Sequence, residues 1–562
     1  MCGNGSCGCG CGGASIIAPT GNTGASVTTP IYISNTVFVS KLGSNTTGTV
    51  ERMDLPFLTI TAAITAALTL TPASTKRVSI VVFGGTYTEN ITLANAYLTL
   101  TSGYSNNLLF DEAGYSVIAS RYTTTKRQVY IAGTITVTAD NINITGINAQ
   151  TLLWNHAGAF SNVSHCLFST AITTNNTAPN GSWYDVHSAI FLSLPSTGTL
   201  SGYYEKCTGG STSFAGNSVA VCGNISGTLI QCVVDDTYGF ASTNGNAAGT
   251  ISGLLKKCKS TGAVSFASSN SSTGGTISGR LEDCISTANT SFSSSATGTA
   301  GTISGKLFRC KSIGGQKAFG FGLTGGTISG YLEDCYSDSG YSFGSFTTTG
   351  GTLSGVFIRC VDQGDEACFG STEDGSGATL SGTFIDCIAK SIGFGVANGT
   401  GTAATLSARF ENCIVHGTLS FGSSAGGTAG IISGTLTNCK GSGLAFCSSD
   451  TTGGTVSSTG QLINCTAIGD VMLRKAVVSG KVIGARINSQ TANEPAIIVA
   501  GTSTAVLHNC KLKGNGSAAS IHADSAINCT VTYCSTFGKG VHANVTNLVL
   551  SPFIIDESTE IF

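Results

Sequence analysis

The amino-acid sequence predicts an all-β solenoid, a parallel β-helix with coils of about 26 residues, and three observations carry that expectation. One phrase recurs from Thr199 onward: TLSGYYEKC, ISGTLIQC, ISGLLKKC, ISGRLEDC, ISGKLFRC, ISGYLEDC, LSGVFIRC, LSGTFIDC, LSARFENC and ISGTLTNC. The repeat's cysteines are Cys207, Cys232, Cys258, Cys284, Cys310, Cys335, Cys360, Cys387, Cys413, Cys439 and Cys465, separated by ten intervals of 25 to 27 residues. A second residue type keeps the same period: Phe214, Phe240, Phe266, Phe292, Phe319, Phe343, Phe369, Phe394, Phe421 and Phe446. Finally, each unit gathers its apolar residues into short Thr/Ile/Leu/Phe runs between Gly/Ser/Thr/Asn clusters. That pattern means strands and turns, without a stretch of helical length. Propeller blades need about 40–45 residues, and leucine-rich repeats need a Leu/Asn consensus that is not present. Stacking coils at about 4.8 Å would align like residues in columns through an apolar interior.

Within one unit, the Leu or Phe three residues before Cys and the Cys itself have opposite parity. A flat strand cannot point both inward. A bend between them resolves the conflict, with one strand ending at Leu and the next starting at Cys. The residue just before Cys then occupies an exposed corner suited to left-handed backbone. Asn412, Asn438, Asn464 and Asn509 stand there, and Asn tolerates that conformation. In mid-array the corner reads Lys257, Asp283, Arg309, Asp334, Arg359, Asp386. Opposite charges alternate coil by coil, which relieves a column that would otherwise repel itself and helps to set register. A charged binding stripe is the other reading of this column.

Composition narrows the function classes. Charged residues are 10% of the 562, Gly is 76 and Pro only 8, while apolar residues reach 41%. A disordered chain has few apolar residues and high net charge; here the net charge is −2. The surface is expected to be mostly Ser, Thr, Gly and Asn. Near-neutral charge argues against nucleic acid or an anionic membrane as partner, since both require a basic field. No run of 18 apolar residues exists to span a bilayer. The N-terminal segment lacks the basic and apolar regions of a secretory signal, so either synthesis in a cytoplasm or the loss of a leader is expected.

The units Phe410-Glu-Asn-Cys-Ile414 and Leu462-Ile-Asn-Cys-Thr466 resemble the coil of right-handed parallel β-helix, or pectin-lyase-like, proteins. Upstream, Val37-Phe-Val-Ser-Lys-Leu-Gly43, Leu55-Pro-Phe-Leu-Thr-Ile60 and Ala62-Ala-Ile64 are similar to the opening of many such proteins. There a strand, a Gly-rich turn and a capping helix precede the first coil. Val81 to Tyr87, with Glu89, resembles the first-coil segment, with Gly84-Gly85 where Pro-Gly is common. The resemblance covers roughly residues 31 to 550 and implies a right-handed coil. The family includes pectate lyases, polygalacturonases, tailspikes, adhesins and viral fibre proteins, so fold alone leaves activity open.

Four segments are expected. Residues 1–30 form a Cys/Gly-rich arm with Cys2, Cys7, Cys9 and Cys11, which can bury nothing and suits subunit linkage, docking or a soft metal. Residues 31–75 supply the strand and capping helix. Residues 76–550 form the β-helix, about 18 coils at about 4.8 Å each. Residues 551–562 form a C-terminal cap or tail.

The sequence offers little catalytic chemistry. His156, His165, His187, His416, His508, His522 and His542 show no metal spacing and read as surface or turn residues. Glu282/Asp283 and Glu333/Asp334 lie two coils apart, at the edge of what an inverting glycosidase uses, but Arg309 falls between them. Asp235/Asp236 followed one coil later by Lys256/Lys257 is a lyase-like grouping. Asp362, Asp365, Glu366, Glu373 and Asp374 read as a solvated acidic loop. The column cysteines read as a reduced, buried thiol ladder. No catalytic residue, resident metal or cofactor is assigned. The expectation is a structural, self-assembling protein of a virion or extracellular assembly, partnered by further copies, capsid or surface proteins, or glycans. A polysaccharide lyase or hydrolase, or a glycan-binding adhesin, is the alternative.

Overall fold

In the computed structural model, the structure describes residues 32–103, 129–156, 160–174, 180–194, 198–218, 221–349, 351–373, 375–469 and 472–489, with short stretches between 497 and 546. The arm and the C-terminal tail lie outside the described residues. Contacts divide the chain into two units, Met1–Ala171 with Gly181–His187, and Ile172–Asn180 with Ser188–Phe562. Strands dominate both, and their pairings are parallel almost throughout, as a β-helix solenoid requires.

In the first unit, strand Thr36–Val39 pairs in register with Val78–Val82, which pairs with Leu98–Ser102, which pairs with Asn143–Thr145. Val129–Val137 alternates buried and half-buried positions along its whole length, the period of a strand with one face inward. The helix runs Ile60–Leu68, packs against the Thr36–Val39 and Val78–Val82 strands, and buries Ile60, Ala63, Ile64 and Ala67. Its start is capped twice. Thr59 Oγ1 accepts from the Ala62 amide at 3.3 Å, and the Glu89 carboxylate accepts from the amides of Ile60 and Thr61 at 2.8 and 2.9 Å. These donors have no partner inside the helix, and a carboxylate there also meets the positive end of the helix dipole.

In the second unit one coil is four short strands. For the coil of Cys258 they are Thr250–Ile251, Leu254–Lys256, Lys259–Ser260 and Val264–Ser265. Each pairs with its equivalent one coil on, Leu255 on Leu281 and Lys259 on Ile285. Ile251, Leu255, Cys258, Ser260, Ser265 and Phe266 all point inward and are fully buried. Outward, Thr250, Thr276, Thr302, Thr327, Thr352, Thr379 and Thr405 align in a column. Exposed Ser252, Ser278, Ser304, Ser329, Ser354, Ser381 and Ser407 run beside it. Hence this face presents hydroxyls and no charge.

The bend between Leu and Cys differs by one residue from the sequence expectation. The strand continues past inward Leu255 to Lys256, Lys257 alone turns, and the next strand starts after Cys258. A single left-handed residue is sufficient to reverse the parity.

Candidate functional site

The arrangement with the most chemistry is a set of columns in the second unit. At the corner, Lys257, Asp283, Arg309, Asp334, Arg359, Asp386, Asn412, Asn438, Asn464 and Asn509 all have φ between 50° and 54°. Left-handed backbone costs a non-glycine residue about 1–2 kcal/mol, and the column recovers part of this through contacts between its members. Arg309 Nε donates to Asp283 at 2.6 Å, and Arg359 Nε donates to Asp334 at 2.7 Å. Arg359 also reaches Glu333 at 2.5 Å. Further along, Asn412 donates to Asp386 at 2.9 Å and Asn438 to Asn412 at 3.2 Å. Each guanidinium therefore reaches back one coil. The Arg309 and Arg359 guanidinium groups hold the carboxyls of Asp283 and Asp334 below their ordinary range. Asp283, Arg309 and Asp334 line a shallow cleft with Ile285 and Lys311.

This pairing bears on the glycosidase grouping. Glu282 is bound by Arg280 and Lys256, and Glu333, Asp283 and Asp334 by arginines. Asp283 and Asp334, lowered by their arginines, are therefore poor proton donors near neutrality. The acidic cluster is also corrected in part: Asp365 is solvated and paired with Lys390 at 2.6 Å, but Asp362 is fully buried.

The Phe column is a continuous ring stack. It starts one coil earlier than the period revealed, at Phe191, and centroids from Phe191 through Phe446 follow one another at 4.6 to 5.2 Å. Phe266, Phe292 and Phe319 lie within 2–3° of parallel. Phe357, Phe384 and Phe410, in the Leu position, form a second stack that meets the first edge to face. Most of the column Phe residues are themselves left-handed, for example Phe266 at φ 51° and Phe292 at 52°, followed by left-handed Ala267 and Ser293. A bulky residue in this region is a marked outlier. Burying a whole aromatic ring, worth several kcal/mol, outweighs that cost. The stretched Phe–X corner thus rests on tertiary packing rather than on local preference.

The eleven column cysteines are buried free thiols. From Cys232 to Cys413, and again at Cys465, each Sγ sits at 3.4 to 3.6 Å from the carbonyl of the inward residue one coil back, as Cys258 does on Leu229 and Cys284 on Leu255. Cysteine suits this place because it is small, apolar and a weak donor. Burial pushes the thiols of Cys232, Cys258 and Cys284 well above their ordinary range. Cys2, Cys7, Cys9 and Cys11 lie outside the described residues.

Two residues beyond Cys258, Cys284, Cys310 and Cys335 runs an interior hydroxyl column that composition concealed. Ser260, Ser286, Ser312 and Ser337 are fully buried. Oγ contacts cross between columns: Ser265 with Ser286 at 2.7 Å, Ser291 with Ser312 at 3.1 Å and Ser312 with Ser339 at 2.9 Å. Asp362 takes the place of serine in the next coil. Its Oδ1 accepts from Ser342 at 2.6 Å, and Oδ2 has no hydrogen-bond partner among the described residues. Burial pushes this carboxyl up to about 7. The expectation of Ser as surface residues is corrected here: many line the core.

In the first unit, the fully buried Asp185 carboxylate binds His165 Nδ1 at 2.9 Å and His187 Nε2 at 2.8 Å. The Tyr184 ring stands edge-on to His165 at 5.3 Å. His165 is 40% exposed, whereas His187 is buried, correcting its reading as a surface residue. His165 and Asp185 both hold the left-handed corner backbone, at φ 52° and 53°, and His165 precedes buried Cys166, but they are 20 residues apart, outside the period of 25 to 27, so periodicity could not unite them.

These columns and the parallel register define the class: a parallel β-helix repeat protein. Compared with protein-family models, curated proteins and solved structures, the chain matches none.

Proposed function

We propose that this chain is a structural subunit that self-assembles, as a component of a virion fibre, surface layer or filament, with the Cys-rich arm used for attachment or subunit linkage. The observation that carries the reading is the commitment of side chains to their own coil neighbours. Corner charges pair along the column, rings stack on rings, and the outward Thr and Ser columns offer a regular uncharged hydroxyl face. Such a face desolvates at lower cost than a charged one and suits lateral packing of like surfaces. Pectin-lyase-like kinship and the virion setting rest on the resemblance at the Leu-x-Asn-Cys coils.

Negative-stain electron microscopy of the full-length protein tests this. Filaments or regular oligomers that vanish on deleting residues 1–30 are expected; dispersed single molecules at all concentrations overturn the reading.

One observation favours a second reading, a carbohydrate-active β-helix. Asp185 orients a half-exposed His165 in the manner of an acid–base residue held by a carboxylate. Release of fragments from an acidic polysaccharide, lost in His165→Ala, would establish it.

A further inference from the structure

The eleven cysteines from Cys207 to Cys465 form one interior column, one sulfur per coil. Register pairs on both sides, Leu229 with Leu255 and Val233 with Lys259, place Cys232 and Cys258 directly over one another. Successive backbones are therefore about 4.8 Å apart, and thiols such as Cys258 and Cys284 have a column thiol both above and below them. A disulfide needs Cβ atoms about 3.5–4.5 Å apart and would distort the coils. Two metal–thiolate bonds of about 2.3 Å, laid end to end, span about 4.6 Å and would not. Among the described residues, no three His, Cys, Asp or Glu side chains converge as a metal cluster, so the column offers two ligands per gap and no tetrahedral site. Soft sulfur donors select Cu(I) and similar ions over harder ones, and such univalent ions accept linear two-coordination.

We propose that the Cys207–Cys465 column binds univalent soft-metal cations, each held between the sulfurs of two consecutive coils. Binding exchanges one proton for one cation. One sulfur becomes a metal-bound thiolate, its neighbour remains a thiol and gives a lone pair, and the proton leaves to solvent. No electron is transferred, and the gap stays neutral, as an apolar interior requires. A sulfur shared by two metals needs a bent angle that a straight column denies, so only alternate gaps fill. Eleven sulfurs thus hold five cations.

The test uses the full chain with Cys2, Cys7, Cys9 and Cys11 changed to Ser, so that the arm does not compete. Silver(I), which needs no reductant, is titrated in chloride-free buffer over hours, because buried thiols are reached through local opening. Native mass spectrometry counts cations, ultraviolet charge-transfer absorption reports metal–sulfur bonds, and circular dichroism monitors the strands. One proton released per silver ion is expected. Parity gives the sharper readout. Cys284→Ala splits the column into three and seven sulfurs and lowers its capacity from five to four. Cys310→Ala splits it into four and six and leaves five. Binding at other thiols cancels in the comparison with the parent. A folded parent that takes up no silver, two protons per ion, or equal losses in both variants overturns the proposal. If alanine disturbs the fold, Cys284→Ser and Cys310→Ser carry the same comparison.

Discussion

The Ser342 hydroxyl donates to the Asp362 carboxylate at 2.6 Å from the adjoining column of the preceding coil, and both residues are fully buried. The carboxyl is held up to about 7 against an ordinary 3.8. Between those values the folded chain binds more protons than the unfolded one. Stability therefore falls as pH rises from about 4 to about 7 and stays level above. At 1.36 kcal/mol per unit, the full effect is about 4 kcal/mol. Asp362→Ser, which restores the residue of the preceding coils, is expected to raise the urea midpoint at pH 8 and change it little at pH 4. Parallel pH–stability curves for the two proteins would count against this.

Phe292 combines φ 52° with a fully buried ring between two others. Phe292→Ala is expected to cost about 3–5 kcal/mol through the cavity. Phe292→Gly should be no worse than alanine, because glycine loses the left-handed strain that alanine keeps. At an ordinary strand position glycine would be the poorer choice. Hydrogen exchange in the adjoining coils measures both variants.

Corner residues follow the same rule without the ring. Lys257, exposed at φ 54°, is expected to gain up to about 1 kcal/mol as Gly and to lose a comparable amount as Val, whose branched side chain is least tolerant there. Equal midpoints for the two would show that the corner relaxes.

Exposed ion pairs contribute about 0–1 kcal/mol each. Arg359→Gln is accordingly expected to cost less than 1 kcal/mol. Arg359→Glu should cost more, since it stacks a third acid on Glu333 and Asp334. The gap between the two variants should close in high salt, where surface charges are screened.

At the helix, Glu89→Gln keeps the shape of the cap but removes its charge. A loss of about 0.5–1 kcal/mol is expected, with Glu89→Ala nearer 2. Amide exchange at Ile60 and Thr61 reports it directly, because those are the donors the carboxylate accepts.

The regular half of the fold was legible because two residue types with different packing demands share one period. Cys needs a narrow place and Phe a wide one, and both recur every coil. The parity conflict between Leu255 and Cys258 even located the corner, where the structure finds Lys257 left-handed. Other features left no such trace. A serine satisfied by the preceding coil, such as Ser286, is indistinguishable in sequence from a solvated one. Asp362 was hidden beside solvated Asp365 for the same reason. Left-handed Phe266 contradicts its intrinsic preference, so only the stacked rings explain it. The contact of Asp185 with His165 depends on a 20-residue coil that falls outside the period of the two ladders.

The spacing from Thr to Cys is eight residues in nearly every coil, as from Thr250 to Cys258 and Thr405 to Cys413, whereas Cys to Phe and Phe to Thr absorb the variation. Selection on such a gene acts in two currencies. Duplication or loss of one coil's codons joins surfaces that already match, so chain length can drift by whole units between lineages. A single-codon insertion between Thr and Cys would throw the corner, the thiol and the inward Leu out of phase at once, and mutational tolerance should be lowest there.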